Sequence, residues 1–432
     1  MLFGNLCYTG TRKPVRDLAF PFFAARFYSM KTTLSLFLAC MSVSVLGQSQ
    51  LFVLNEGRFD WNNGVIEEAP SLGVIDLATS SYVQIASFDS IAFATDLEVL
   101  GGHGYVCLEN TVMKVDLTTG EILHEVVLEG AQELALLDGM LYVTRGGFDP
   151  VTSGPLDLES HLAWLNADDL WFEGELTLET GPQFACQAIC VHNNLVVVGV
   201  NNGWVWGGEV GLVGTYDPAS GLYTEVDLGE AGKNPVALHE LDGAVLSVNN
   251  GDWSSTSVSR VVAGETLEAS TEVLADVAAG CNASAVVSAN RLALQIDQEA
   301  GLRLVDGATG LGTGETLNPN ASTAYSLVIH PTSEMTFSGV TDFDTEGHVE
   351  IHDDLGNLVG SVQVGIAPGT LVWGETATDN LNEVIHGKLA WPAGTYDLQG
   401  RSVVPHQTTA GQVLLHVDSR GTITKEVVVR MD

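Results

Sequence analysis

Positive charge is what this sequence has least of. Lys and Arg together number 17 against 54 Asp and Glu, for a net charge of -37 over 432 residues. A field of that sign repels phosphate backbones and anionic lipid surfaces, which argues against nucleic acid as a partner. Linear catalytic motifs are missing as well: there is no nucleophile elbow, no Walker loop and no Cys-x-x-Cys-His, and the 11 histidines are scattered without a visible partner set. Proline is sparse, 13 residues against 47 glycines, while 45% of the chain is hydrophobic. That is enough apolar material for one large or two ordinary domains with a core.

Long apolar runs are also lacking. The one near the N-terminus, Leu34 to Leu46, is too short for a stable membrane anchor. It lies in "MKTTLSLFLACMSVSVLGQSQ" with Lys31 before it and Val45 and Gly47 at its end, which is the layout of a secretory signal. Met30 therefore reads as the start, 1–29 as an upstream extension and 30–47 as the signal peptide. A lipoprotein anchor at Cys40 fits less well, because Met41 to Leu46 stays apolar past that cysteine. Cleavage after Gly47 leaves 12 basic and 53 acidic side chains and four cysteines, Cys107, Cys186, Cys190 and Cys281. An oxidising compartment permits disulfides among them, and spacing alone does not assign one. Cys107, inside an apolar run, reads as a packed thiol.

What the chain has in quantity is a repeat. Its clearest copy is Leu97 to Gly130, "LEVLGGHGYVCLENTVMKVDLTTGEILHEVVLEG": two apolar strands around a tight turn, a polar loop, a third strand ending at an Asp-x-x-x-Gly turn, and a fourth strand. The hairpin turn recurs as Asp138-Gly139, Asn193-Asn194, Asp242-Gly243 and Ala289-Asn290, mostly dipeptides that tolerate positive φ. The turn after the third strand falls at Asp76, Asp116, Asp168, Asp217, Ala263, Asp306 and Asp353. Gaps of 40 to 52 residues between these landmarks match four-stranded propeller blades. The expected fold is all-β, a seven-bladed β-propeller over 48–376. "LFVLNEG" lacks an innermost strand for its blade, and "APGTLVWGE", Ala367 to Glu375, has nothing after it, so the last segment is expected to close the ring.

These residues resemble a known group. "YVT" at Tyr142 to Thr144, the V-x-x-x-D-x-x-T-G of Val112 to Gly120 and "NPVAL" at Asn234 to Leu238 are similar to YVTN-repeat, YncE-like seven-bladed propellers, and "LFVLNEG" resembles secreted propellers of Bacteroidetes bacteria. After a linker at 377–384, residues 385–432 alternate strand-like runs with turns and read as a small antiparallel β-sandwich. Asp397, Gly400, Arg401, Val403 and Lys425 to Val428 resemble the C-terminal sorting domain of type IX secretion cargo, although Val413-Leu414 replaces the more usual aromatic. The resemblance implies export through the type IX secretion machinery to the cell surface or beyond, with no transmembrane anchor in the mature chain.

Candidate sites follow from the topology. Loops between second and third strands share a face with the blade-to-blade connections. Those loops carry Asn55, Trp61, Asn62, Arg145, Asn201, Trp204, Trp206, Asn249 and Trp253. Aromatic faces beside amides suit a glycan or peptide ligand, and Arg145 either orients an anionic group or pairs with a carboxylate; the competing reading is that Asn supplies turn geometry and Trp covers the loop bases. "DFDTEGHVE" places Asp342, Asp344, Glu346 and Glu350 around a Gly-permitted turn, a candidate Ca²⁺ loop without the helices of an EF-hand. His348, Glu350 and His352 share one strand face at period two. A transition metal there competes with plain alternation against Val349 and Ile351. The functional expectation is a non-catalytic binding module. The alternative is a lactonase-like hydrolase or a quinoprotein-like oxidoreductase with a cation near the channel, since such sites are built across blades and leave no linear motif.

Overall fold

The computed structural model describes residues 50–60, 63–149, 154–263, 266–279, 283–297 and 299–374, together with three strands at Gly394–Asp397, Val413–Val417 and Ile423–Val427. The signal segment, Trp61, Asn62, Cys281, the linker, Gly400 and Arg401 lie outside the described residues.

Seven four-stranded antiparallel sheets make the ring. Their innermost strands are, in blade order, Pro368–Gly374, Ala94–Leu100, Ala131–Leu137, Cys186–His192, Pro235–Leu241, Ser284–Ser288 and Ser326–Ile329. Each innermost strand packs beside the next all the way round, so the fold is a seven-bladed propeller. Blade 1 takes its innermost strand from the far end of the propeller sequence: Leu51 pairs with Trp373, Phe52 with Val372 and Val53 with Leu371. Glu56 N then donates to Ala367 O across the same seam. The three strands after residue 393 form a separate antiparallel sheet in which Tyr396 faces Leu415 and Leu415 faces Lys425.

Alternation along the strands makes the core. A sheet in this ring is covered on both faces, so second strands such as "LFVL" and "LVVVGV" are apolar throughout and buried. The apolar material divides by blade interface: Leu134, Val143 and Ala163 of blade 3 meet Tyr105 and Cys107 of blade 2, and Tyr142 and Leu162 of blade 3 meet Val196 and Val198 of blade 4. Cys107, Cys186 and Cys190 are free thiols, the first two buried. Burial pushes Cys190 up to about 12 and the other two well above the ordinary thiol value, so they behave as packing groups.

The aspartate landmarks mark a real device. Asp76, Asp116, Asp217 and Asp306 each end a third strand. The carboxylates then accept from the turn that follows: Asp116 Oδ1 takes Thr118 N and Thr119 N at 2.8 Å, Asp217 Oδ1 takes Ala219 N at 2.9 Å, and Asp306 Oδ1 takes Thr309 N at 3.0 Å. An Asp at that place ends the strand because its own side chain replaces the ladder partner of the turn amides. These hydrogen bonds favour the charged form and lower all four carboxyls, and Asp353 likewise.

A second repeated device is a glycine under an aromatic ring. A Cβ at Gly214 would stand 2.5 Å from Tyr223 Cζ, and one at Gly73 would stand 2.4 Å from Tyr82 Cζ. In both blades the third strand yields its side-chain volume to a tyrosine of the outer strand. Gly214→Ala is expected to lower stability by about 1–3 kcal/mol through overpacking, and pairing it with Tyr223→Ala should recover part of that loss. Denaturant melts of the two variants, with no recovery in the double variant, would sink the assignment.

Candidate functional site

Two regions of the ring collect side chains able to do chemistry or binding: the face carrying the second-to-third strand loops, and the central channel.

On the loop face the aromatic residues and the amides part company. Trp206 is 82% exposed, Trp204 40% and Trp253 39%, and Phe148, Phe184 and Phe343 stand exposed on the same face. Asn55, Asn201 and Asn249 are buried. Asn249 Nδ2 donates to Ser257 Oγ and Ser259 Oγ at 2.9 Å, and its Oδ1 accepts from Ser247 Oγ at 2.7 Å. Asn55 Nδ2 donates to Tyr82 Oη at 2.9 Å and Ser71 Oγ at 3.2 Å. Asn201 donates to Gln187 Oε1 and accepts from Gly203 N. These contacts fit the turn reading of the amides: Asn55 and Asn249 end second strands, Asn201 follows one, and their side chains bond locally, although Asn55 Oδ1 has no partner.

Arg145 is similarly committed. Its Nε donates to Glu129 O at 2.9 Å and its guanidinium pairs with Glu175 Oε2 at 3.1 Å, so of the two roles expected for it the structure shows the carboxylate pair. What blades 3, 4 and 5 offer outward is a set of rings. Trp204 lies against blade 3, where a Cβ at Gly146 would stand 3.2 Å from its Nε1, and Trp253 is held at φ 66° with its amide donating to Asn250 O.

The four carboxylates of the candidate Ca²⁺ loop are separated by the fold. Asp342 accepts from the amides of Asp344 and Thr345 and from Thr345 Oγ1, which hold it down to about 2. Asp344 pairs with Arg58, and Glu346 accepts from Gln363. Glu350 is buried on the strand and held by Ser322. Loop hydrogen bonds account for the Asp342 turn, and among the described residues no group of three His, Cys, Asp or Glu side chains could hold a metal ion.

The channel was not marked by any sequence motif. Thr95, Asp96, Glu133, His239, Ser284 and Ser326 line a cavity of about 260 Å³ together with Val236 to Leu238, Leu327 and Gly369 to Leu371. Bulges near the start of the innermost strands of blades 2, 3, 4 and 5 turn a residue out of the alternating pattern. The polar side chains near those points reach to the next blade. Asp96 Oδ2 accepts from Leu134 N at 2.8 Å, Glu133 accepts from the backbone of Ile189, His239 meets Ser284 Oγ at 2.8 Å, and Ser326 Oγ donates to Pro368 O at 2.6 Å.

The electrostatics of these clasps are one-sided. Burial pushes Asp96 up to about 6, and burial together with Asp96 pushes Glu98, two residues along the same strand face, up to about 8. Burial and Asp96 push Glu133 well above the ordinary carboxylate range. Glu56 at the closing seam rises to about 7 by burial, partly offset by the Tyr325 hydroxyl at 2.7 Å. His239 falls to about 4 because burial disfavours its charged form. The hydrogen bond between His239 and Ser284 links blades 5 and 6.

No protein-family model and no curated protein matches the chain. Among solved structures it is similar to the β-propeller domain of Cps50 (Swd1) from Myceliophteria thermophila, at 11% identity over 67% of this chain and 95% of that one, TM-score 0.48. Hydrazine synthase from Kuenenia stuttgartiensis aligns at 11% identity over 78% and 95%, TM-score 0.49. The WD40 domain of Pan2 from Neurospora crassa aligns at 10% over 65% and 81%, TM-score 0.45. The fold assignment rests on the strand order and register of the chain itself.

Proposed function

We propose that this chain is an exported, non-catalytic interaction module of the YncE-like kind. Its loop face on blades 3 to 5 takes up a glycan or peptide. The observation that carries the reading is the exposure of Trp204, Trp206 and Trp253 with Phe148 and Phe184 on one face, on loops held rigid from beneath by buried asparagines. Rings on preset loops bind with little ordering cost, and aromatic side chains dominate binding energy at recognition surfaces. The signal-like segment at 30–47 and the resemblance of 385–432 to a sorting domain support export by a type IX route, with the tail folding as a small sandwich around the three strands described. No helix among the described residues is long and apolar enough to cross a membrane.

Screening the purified chain on glycan and peptide arrays tests this reading. Binding that falls at least tenfold in Trp206→Ala, with the melting temperature unchanged because that ring is mostly solvent-exposed, is the expected result. A ligand whose affinity is indifferent to Trp204→Ala, Trp206→Ala and Trp253→Ala would move the site elsewhere.

A further inference from the structure

The channel gathers hydrogen-bond acceptors that the aromatic loop face does not use. Its cavity of about 260 Å³ takes Thr95 and Asp96 from blade 2, Glu133 from blade 3, Ser284 from blade 6 and Ser326 from blade 7, all near the starts of their innermost strands. Innermost strands begin where the blade-to-blade connections enter, on the side of the second-to-third strand loops. The cavity therefore lies at that mouth of the channel. Asp96 and Glu133 are each the third residue of their strand, and each stands at a bulge. Asp96 Oδ2 accepts at 2.8 Å from Leu134 N, the amide next to Glu133, so the two half-buried acids are neighbours on adjoining blades.

The lining lacks positive charge. None of its residues is Lys or Arg, and burial keeps His239 uncharged near neutral pH. Asp96 and Glu133 thus face each other across blades without a basic partner, and burial followed by repulsion from Asp96 raises Glu133. Hydroxyls on the same wall add acceptors. Thr95 Oγ1 is buried with no partner, which is costly, and Ser326 Oγ, having donated to Pro368 O, keeps its lone pairs. A cation that brings its own N–H donors answers both deficits.

We propose that the channel mouth binds an organic ammonium ion, its charged head lodged against Asp96 and Glu133. Three donors on a compact charge suit single acceptors offered from different strands. A guanidinium is less well served, because its planar fork asks for both oxygens of one carboxylate, and the amides of Leu134 and Ile189 already occupy part of each acid. A bare metal ion is excluded, since among the described residues no group of three His, Cys, Asp or Glu side chains could hold one. The volume falls below the range of about 300–1,000 Å³ usual for drug-sized ligands, which fits a head group on a short stem. The net charge of -37 draws such cations to the surface. The ammonium arrives either as a free amine or as a lysine of a peptide lying on the loop face.

The test is calorimetric titration of the full chain at pH 8 in phosphate buffer with n-butylammonium, with the peptide acetyl-Gly-Lys-Gly-amide, and with n-butanol as the uncharged control. One saturable equivalent of an ammonium probe and none of butanol are expected. Asp96→Asn and Glu133→Gln, which keep shape and remove charge, should each weaken that equivalent by at least about tenfold without lowering the ligand-free melting temperature. Diffuse binding of amines to the acidic surface persists in both variants and is subtracted. Equal affinities for the two probes would identify a free amine as the ligand. A peptide at least tenfold tighter, with that advantage lost in Trp206→Ala, would identify a lysine presented from the loop face. One further readout needs no variant: the Leu134 amide resonance, whose proton is bonded to Asp96, should shift as n-butylammonium saturates. Absence of a saturable equivalent for either probe, full affinity retained in either variant, or a Leu134 resonance unmoved at saturation would overturn the proposal. Trp204→Ala and Trp253→Ala leave n-butylammonium binding unchanged, so failure here and failure of the loop-face reading are told apart.

Discussion

Raising the pH from about 5.5 to 8.5 should destabilise the propeller, and Glu98→Gln should remove much of the loss. Glu98, Glu56 and Asp96 have folded-state pKa values of about 8, 7 and 6, above those of the unfolded chain. Between the unfolded and folded values the native state holds more protons than the unfolded state, so stability falls as pH rises through that interval. Below the unfolded values, near 4, the contribution is fully present. A tenfold change in a group's proton affinity on folding corresponds to about 1.4 kcal/mol, and discounting for solvent screening leaves about 2–4 kcal/mol for Glu98, or roughly 3–6 °C in melting temperature for a ring of this size.

The turn aspartates work in the other direction. Asp76, Asp116, Asp217, Asp306 and Asp353 are held below their ordinary value, so their contribution is present above pH 4 and is lost as pH falls through the folded values. The two groups together place maximal stability between about pH 4 and 6. Thermal melts across pH 3 to 9 decide the matter. A Glu98→Gln protein with the same alkaline slope as wild type would show that Glu98 is not held protonated between the blades.

These interior carboxylates were the least legible feature of the sequence. Asp96 and Glu98 alternate with Leu97 and Val99 along their strand, and only the meeting of blades 2 and 3 makes them half-buried, with Asp96 beside Glu133. The bulges that aim Asp96 and Glu133 at the next blade also leave no local pattern, because a bulge is defined by the partner strand. The blade count was legible for the opposite reason. An Asp that ends a strand and caps its own turn acts within four residues, so Asp76, Asp116, Asp217 and Asp306 mark their turns without reference to anything distant.

The loop face was legible in part. Exposed Trp204, Trp206 and Trp253 follow from loops too polar to fold inward. The fate of Asn201 and Asn249 did not follow, since an Asn that turns a chain and an Asn that meets a ligand have the same neighbours in sequence. Likewise Asp342, Asp344 and Glu346 have the spacing of a cation loop, yet Arg58, 286 residues from Asp344, draws one of them away.

Two truncations should separate the ring from its tail with the largest contrast of any change considered. Ending the chain at residue 376 removes nothing that, among the described residues, the propeller strands pair with, so its melting temperature is expected to stay within a few degrees of the full chain. Ending it at residue 366 removes the innermost strand of blade 1. Gln50–Asn55 then becomes an open edge, and Phe52 and Leu54, fully buried in the closed ring, lose Val372 as a neighbour. An exposed apolar edge strand pairs with other copies, and fully burying even one Leu or Phe is worth about 1.5–3 kcal/mol, so loss of Leu371 and Val372 together removes a large part of an ordinary domain stability of about 5–15 kcal/mol. The shorter chain should aggregate or melt without a cooperative transition, as read by calorimetry and light scattering. Adding Ala367 to Glu375 back as a free peptide should restore cooperative melting, because the segment completes a sheet whose other three strands are already joined. A 366-residue chain that stays monomeric and melts like the full chain would mean that the pairing of Leu51 with Trp373 does not hold the ring closed.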